Sequence, residues 1–355
     1  MKDVTPQIFG IDDKDIDPLS IYMEGFRGKG TDRKFWQTRF NHWWKNNPFY
    51  KPGMIRGKLL RDGELIVGFV GTIPVPVQIG GEEVIAYISS SWDVRPQYRK
   101  YSMKLLAQLL ATIKQSEHPY IINNPIANTD MFYKLLGLRK LPTCFSKKYT
   151  IFNGPLARFS CGLPNNTPKW LRMFLSAIEK RIYPLHNNAM HRVVQITKAG
   201  EEFDTLWLKS RHSVSNTKSR SSNSINWYCF GNKTYNNKLL FGVYEKESLI
   251  GYAIFRESRY SGGTFLECLD LWCDKQDQQI ISTLFSYVLR YSSKQYYHGI
   301  ITFDYAGTKA WLFSCKTFCM EEKSVSGFYQ LQQNSKQAIT VENSYYVFAE
   351  GDVGI

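Results

Sequence analysis

Glu82-Glu83-Val84-Ile85-Ala86-Tyr87-Ile88-Ser89-Ser90-Ser91-Trp92-Asp93-Val94, running directly into Arg95-Pro96-Gln97-Tyr98-Arg99-Lys100-Tyr101-Ser102, is the stretch on which the fold turns. Its first part opens after the turn pair Gly80-Gly81 and reads as a strand, and Pro96 ends it. Met103, Leu105, Leu106, Leu109, Leu110 and Ile113 then recur at helical spacing, predicting a helix over 102–115. A strand feeding a tight loop and a helix leaves the first N–H groups of that helix without intrahelical acceptors. With Arg95, Arg99 and Lys100 beside them, those groups suit a pyrophosphate.

Upstream, Met54–Leu60, the turn Arg61-Asp62-Gly63, Glu64–Pro74 and a short Val75–Ile79 predict an antiparallel meander that ends in this strand. Before it, Phe35, Trp36, Phe40, Trp43 and Trp44 cluster on one side of a helical wheel, so a helix is expected up to Asn46-Asn47-Pro48. Downstream, Tyr120–Asn123 reads as a short strand and Asn128–Leu136 as a helix stopped by Gly137. The order is helix, meander, helix, strand, helix.

The same grammar returns further on. Val193–Ile196 reads as a strand, Phe203–Ser213 as a helix, and a polar run to Asn223 as a connection before the aromatic segment Ile225–Tyr228. Leu249-Ile250-Gly251-Tyr252-Ala253-Ile254 matches Leu65-Ile66-Val67-Gly68-Phe69-Val70, each behind an acidic turn. Phe265–Trp272 and Gln278–Tyr291 then stand where Glu82–Val94 and Ser102–Gln115 stood. A chain of 355 residues exceeds one core. We therefore expect domains over 1–150 and 193–355, joined by a Pro- and Asn-rich connector over 151–192.

On these pieces the first half resembles the core of the GNAT N-acyltransferase superfamily. Leu65–Val70 matches its xxVGxx strand, Val94-Arg95-Pro96-Gln97-Tyr98-Arg99 its V-x-P-x-Y-R element, and Asn124 with Tyr133-Lys134-Leu135-Leu136-Gly137-Leu138 its N…Y-x-x-x-G-F element. The resemblance implies an α/β (α+β) fold of two tandem GNAT-like domains, each a mixed, mostly antiparallel sheet flanked by helices. It implies acetyl-CoA or another acyl-CoA as co-substrate, held by Val94, Arg95, Arg99, Lys100, Tyr101, Ser102, Met103 and Asn124, with Tyr133 as proton donor to the leaving thiolate. Asp93, which shares a strand face with Ser89 and Ser91, is our candidate base. The family's loop carries small residues where this chain has Ser102 and Lys104, and glycine is what lets a backbone approach phosphate closely.

The tandem arrangement and the aromatic helix are similar to GNAT-like proteins found with bacterial polysaccharide genes. They imply an N-acetyltransferase or related acyltransferase acting on an amine or hydroxyl of a small molecule or sugar. Two alternatives stand beside this: a FemAB-like transferase drawing on aminoacyl-tRNA, which a net charge of +14 suits, and a non-catalytic binding protein on the same fold. In the second half Asp274 and Asp277 stand at the helix entrance, where they suit capping and repel pyrophosphate. That half is not expected to bind coenzyme A, and Trp272, Tyr305, Trp311 and Tyr329 in it are read chiefly as core.

Composition narrows the remaining classes. Seven scattered cysteines without a CxxC pair disfavour a disulfide framework or zinc site, and six isolated histidines give no metal pattern. No GxSxG or P-loop occurs. The N-terminal sequence has no signal-like apolar stretch, no window approaches a membrane span, and a cytoplasmic location is expected.

Overall fold

Hydrogen-bonded strand pairing organises the described residues into two sheets. The structure, a computed structural model, describes residues 5–26, 28, 31–123, 130–141, 145–151, 168, 170, 190–232, 237–260, 263–305, 319–324, 328–331, 340 and 343–347. Most of the 151–192 connector and Asn124 lie outside the described residues.

The first sheet runs β1 (Gln7–Gly10), β2 (Gly57–Asp62), β3 (Leu65–Ile79), β4 (Glu82–Val94), β5 (Tyr120–Asn123), β15 (Phe328–Leu331) and β6 (Leu138–Lys140). Along this path the pairs are antiparallel except β4 with β5, which lie parallel at Tyr87–Tyr120 and Ile88–Ile121. Alternation along β2 to β4 sorts the apolar residues to two faces. Leu60, Val67, Val70, Tyr87 and Val94 pack under α3 (Ser102–Lys114). Leu59, Ile66, Phe69 and Ile73 meet α1 (Ile16–Tyr22) and α2 (Arg33–Phe40) on the other side.

The second sheet repeats this order. Read from its outer strand it runs β8 (His191–Ile196), β10 (Lys238–Glu245), β11 (Ser248–Tyr260), β12 (Gly263–Cys273), β13 (Gly299–Tyr305), β7 (Phe145–Ile151) and β14 (Cys319–Ser324). The helix expected near Phe203 is α5 (Glu201–Ser210), which buries Phe203, Leu206 and Trp207. Here α7 (Gln278–Lys294) takes the place of α3, burying Ile281, Leu284, Phe285 and Val288. The position of β3 is thus held by β11, as the sequence match between them implies.

The halves exchange strands. β7, which ends the first stretch of the chain, pairs between β13 and β14 through registers such as Lys148↔Thr302 and Tyr149↔Met320. Reciprocally, β15 from the C-terminal stretch pairs between β5 and β6, with Tyr329 opposite both Ile122 and Lys140. Each half thus completes the other's sheet, and an interior strand so placed has no exposed edge of its own.

A second junction forms on the free edge of β3. That strand is continuous through Pro74 and Pro76 rather than broken at Val75. Its pairing with β4 is held through Pro74↔Tyr87 and Pro76↔Ile85, while β2 stops opposite Gly71. A proline without an N–H is tolerated where the neighbouring ladder has ended. Beyond it β9 (Asn216–Lys218) pairs with Val77 and Gln78, and β16 (Ser344–Tyr345) lies parallel outside β9. The Gln78 side chain donates to the carbonyls of Arg211 and Val214, at 3.0 and 2.6 Å. The run read from sequence as a polar connection is therefore buried: Asn216, Thr217, Lys218, Ser219 and Arg220 are all nearly inaccessible. Ile225–Tyr228 lies in a helix, α6 (Ser222–Phe230), capped by Ser221.

The expected aromatic helix is α2, capped by Asp32 accepting from the Phe35 N–H at 2.8 Å, continued by a wider turn through Lys45. Its inward rings fill the junction: Phe40 stacks on Trp44 at 5.2 Å, and the Trp44 Nε1 donates to the Thr72 carbonyl at 2.9 Å. Trp44→Ala removes both a large buried ring and that bond. We expect it to cost about 3–5 kcal/mol, read as a lower urea midpoint; a loss below about 1 kcal/mol contradicts this account.

Candidate active site

Where β4 and β5 separate, the first sheet opens. Their pairing ends at Ile88–Ile121, yet β4 continues for six more residues, and Ser89 and Ser91 to Asp93 along it are only half-buried. The ladder to β3 is offset over the same span, with Gly71 opposite Ser90 and Phe69 opposite Asp93, so Ser91 and Trp92 together face Val70. Ser91 has φ 51°, the left-handed region that such a bulge demands. Gly71 is required beside it: a Cβ there would stand 2.7 Å from the Phe69 ring and 3.0 Å from the Ser90 carbonyl oxygen. A bulge on a strand with no neighbour on one side turns backbone polar groups into the opening.

The bulge sends its side chains to opposite faces. Trp92 packs with the α3-side core, which also holds Val94, Tyr101 and Tyr133. Tyr133, on α4 (Asp130–Leu135), is buried there in the cluster that contains Tyr120 and Leu138. Asp93 lies on the α1 side, where its carboxylate accepts a 2.7 Å hydrogen bond from the Tyr22 hydroxyl. Burial, followed by the Asp93 bond and charge, pushes the Tyr22 phenol far above its ordinary range, so Tyr22 donates and stays neutral. The Arg95 guanidinium lies 5.5 Å from the Tyr22 ring centroid. Tyr22 was not foreseen; it stands 71 residues from Asp93 in a short helix without a motif.

The basic segment after β4, expected as a tight loop before the helix, is itself helical. Pro96–Tyr101 form a 3-10 helical turn that continues into α3, and the Ser102 N–H is already given to the Arg99 carbonyl. Pro96 pre-sets the first turn, and without small residues at 102 and 104 the backbone has no reason to open. Tyr98 is anchored by donating to Asp62 Oδ2 at 2.5 Å. Arg95, Arg99 and Lys100 are exposed, while Ser102 and Met103 are half-buried. Positive charge at this corner therefore comes mainly from side chains.

The second half keeps the same backbone device and fills it. Parallel pairing of β12 with β13 ends at Glu267–Ile301, and the ladder to β11 shifts between Ile254 and Phe255. Gly68 opposite Val94 and Gly251 opposite Cys273 put Asp270 level with Ser91. Unlike the same stretch of β4, Phe265 to Cys273 is buried throughout. Asp270, 2% exposed, accepts from Arg220 at 3.1 Å, Tyr252 at 3.0 Å and the Leu271 N–H at 2.9 Å. The Arg220 guanidinium lies 4.3 Å from the Trp272 ring centroid and 5.1 Å from that of Tyr345. Asp277 caps α7 through the Gln279 N–H at 2.7 Å, and Asp274 holds Lys209 at 2.6 Å. Trp272 is core; Trp311 and the side chains of Tyr305 and Tyr329 lie outside the described residues.

Among the described residues no helix is long and apolar enough to cross a membrane, and no group of three or more metal-ligating side chains is present. No family model and no curated protein matches the chain. Solved structures do. A GCN5-related N-acetyltransferase from Anabaena variabilis ATCC 29413 superposes with a TM-score of 0.62 at 12% identity, over 92% of this chain and 72% of that one. A conserved protein of unknown function from Enterococcus faecalis V583, described as a probable N-acyltransferase, gives 0.62 at 13% over the same shares. Saccharomyces cerevisiae N-myristoyltransferase with bound myristoyl-CoA and inhibitors gives 0.62 at 12%, over 99% of this chain and 86% of that one. Identities this low speak to fold alone, and together with the bulged, parted strands of both sheets they show that the chain has the GNAT fold, built twice and interleaved.

Proposed function

We propose that the protein is an acyl-CoA-dependent acyltransferase whose donor lies between the parted ends of β4 and β5. The observation that carries this reading is the contrast between the halves: one bulged opening is accessible and bordered by Asp93, the other is filled by its own side chains. In the reaction the amine or hydroxyl of a small molecule or sugar attacks the thioester carbonyl, a C–N or C–O bond forms, and the C–S bond breaks. Asp93 takes the acceptor's proton, with Tyr22 fixing the orientation of its carboxylate. Backbone N–H groups at the bulge stabilise the oxyanion, and Tyr133 delivers a proton to the departing thiolate. Arg95, Arg99 and Lys100, with Val94, Tyr101, Ser102, Met103 and Asn124, supply the donor's binding site. Acetyl-CoA and longer acyl-CoAs are the donors to test, and a sugar of a surface polysaccharide is one candidate acceptor.

Calorimetry on the wild type and on an Arg99→Glu, Lys100→Glu variant at low salt tests this. We expect the wild type to bind at least one acyl-CoA and the double variant to bind it at least about tenfold more weakly, a difference of about 1.4 kcal/mol or more. Absence of binding to folded wild type by acetyl-CoA and by longer acyl-CoAs sinks the proposal. The helical turn that has spent the Ser102 amide, together with the +14 charge, favours aminoacyl-tRNA as the second donor class. A gel shift with charged tRNA separates the two.

A further inference from the structure

Two cations of the basic corner rest on rings from opposite faces of the first sheet. The Lys100 ammonium lies 5.2 Å from the ring centroid of Tyr101, which packs with the α3-side core. The Arg95 guanidinium lies 5.5 Å from the ring centroid of Tyr22, which belongs to α1 and packs against the core on the other side. Arg95 serves the donor corner through its main chain: its N–H goes to the Val67 carbonyl at 2.9 Å, and its carbonyl accepts from the Tyr98 N–H at 2.8 Å. Its side chain goes the other way, to the face that carries Asp93.

One phenol therefore holds two opposite charges. The Tyr22 hydroxyl donates to the Asp93 carboxylate at 2.7 Å, and the Tyr22 ring carries the guanidinium. A guanidinium beside a carboxylate ordinarily closes a bidentate pair. Here no ion pair joins Asp93 to Arg95, and neither pairs with another charged side chain among the described residues. Contact with a ring uses the flat of the guanidinium and leaves its edge donors available. Arg95 is exposed and Asp93 half-buried, so both charges are open to a ligand.

We propose that Arg95 is a specificity-determining residue of the acceptor site, and that the acceptor is an amine carrying a carboxylate or phosphate on the same small molecule. This rests on the acyltransferase reading above. The guanidinium fork takes the anionic group in a bidentate contact and brings the amine to Asp93, which takes the proton the amine loses as its C–N bond forms. An amine without the anionic group meets Arg95 as a like charge beside its binding position, which lowers its affinity. Acceptor recognition thus lies on the α1 face, while Lys100 stays with the donor on the α3 side.

Calorimetry on the full chain, with and without coenzyme A, tests it. The probes are amino acids, each against its amide, and amino-sugar phosphates, each against the unphosphorylated amino sugar. The wild type is expected to bind at least one anionic probe at least about tenfold more tightly than its neutral counterpart. Arg95→Gln brings the two within about twofold and leaves acyl-CoA affinity within about twofold; because Arg95 is exposed, its urea midpoint is expected to match the wild type. A preference confined to the amino acids identifies a carboxylate, one confined to the sugars a phosphate. The proposal is overturned if the wild type binds no probe, if it does not prefer the anionic member, if Arg95→Gln keeps the preference, or if that variant weakens acyl-CoA instead. Binding of an anionic probe through Arg95 without any binding of acyl-CoA sinks the acyl-CoA reading and upholds recognition by Arg95; acyl-CoA binding with no anionic preference sinks this inference alone.

Discussion

Asp270→Ala is expected to lower the stability of the protein by about 3–5 kcal/mol, the range for breaking a buried ion pair by removing one partner. Loss of the carboxylate takes from the Arg220 guanidinium, 1% exposed, its ion pair with Asp270, and takes the acceptor from the Tyr252 hydroxyl and the Leu271 N–H. Arg220 is also held by accepting groups of Thr217 and Lys218, at 2.6 and 2.7 Å, so it cannot swing out to water without undoing β9. Because β9 pairs with β3, the damage reaches the first half. Urea denaturation of the wild type, Asp270→Ala, Arg220→Met and the double variant measures this. The double variant is expected to lie closer to the wild type than either single one, since replacing both charges removes the buried guanidinium together with its counter-charge. A single-variant loss under about 1 kcal/mol would falsify the view that this pair seals the second opening.

Asp93→Asn is expected to behave in the opposite way, sparing the fold and losing the reaction. Its carboxylate is half-exposed and, among the described residues, takes a side-chain hydrogen bond from Tyr22, so an amide of the same shape keeps the contact and alters stability little. What it loses is the capacity to accept a proton, which general-base catalysis makes worth about 10²–10⁴ in kcat. The assay is release of free coenzyme A thiol from acyl-CoA, with the best acceptor from a panel of amines and amino sugars. Acyl-CoA affinity should stay within about twofold, because a base for the acceptor touches the donor's binding little. Tyr22→Phe is expected to lose less, about tenfold, since the carboxylate then has neither its fixed rotamer nor its donor. An Asp93→Asn enzyme with full activity removes Asp93 from the mechanism.

The contrast between these two aspartates shows where sequence reading reaches and where it stops. Strand β5 is Tyr120–Asn123 and helix α3 begins at Ser102, as their patterns indicate, because local hydrophobic periodicity is set by neighbours one to four residues away. The turns at Asp62-Gly63 and Gly80-Gly81 are legible for the same reason, and Gly63, Gly80 and Gly81 all have positive φ. The likeness of β3 to β11 is likewise written in the chain. Asp93 and the basic corner at Arg95, Arg99 and Lys100 are visible as residue types at the end of a strand.

What tertiary structure alone decided is whatever depends on partners far away in sequence. The polarity of the run from Asn216 to Arg220 gives no warning that these residues are interior. A polar side chain is buried only when acceptors and donors arrive from elsewhere, here Asn343, Tyr345, Asp270 and the carbonyls of the chain itself. Tyr22 could not be joined to Asp93 from sequence, since helix and strand meet only after the sheet has formed. The exchange of β7 and β15 is equally silent: an interior strand has the same apolar pattern whichever sheet receives it. Sequence determined the repeated order of strands and helices and the residue types at the end of β4; long-range packing decided that the two sheets exchange strands and, among the described residues, that the second opening is filled.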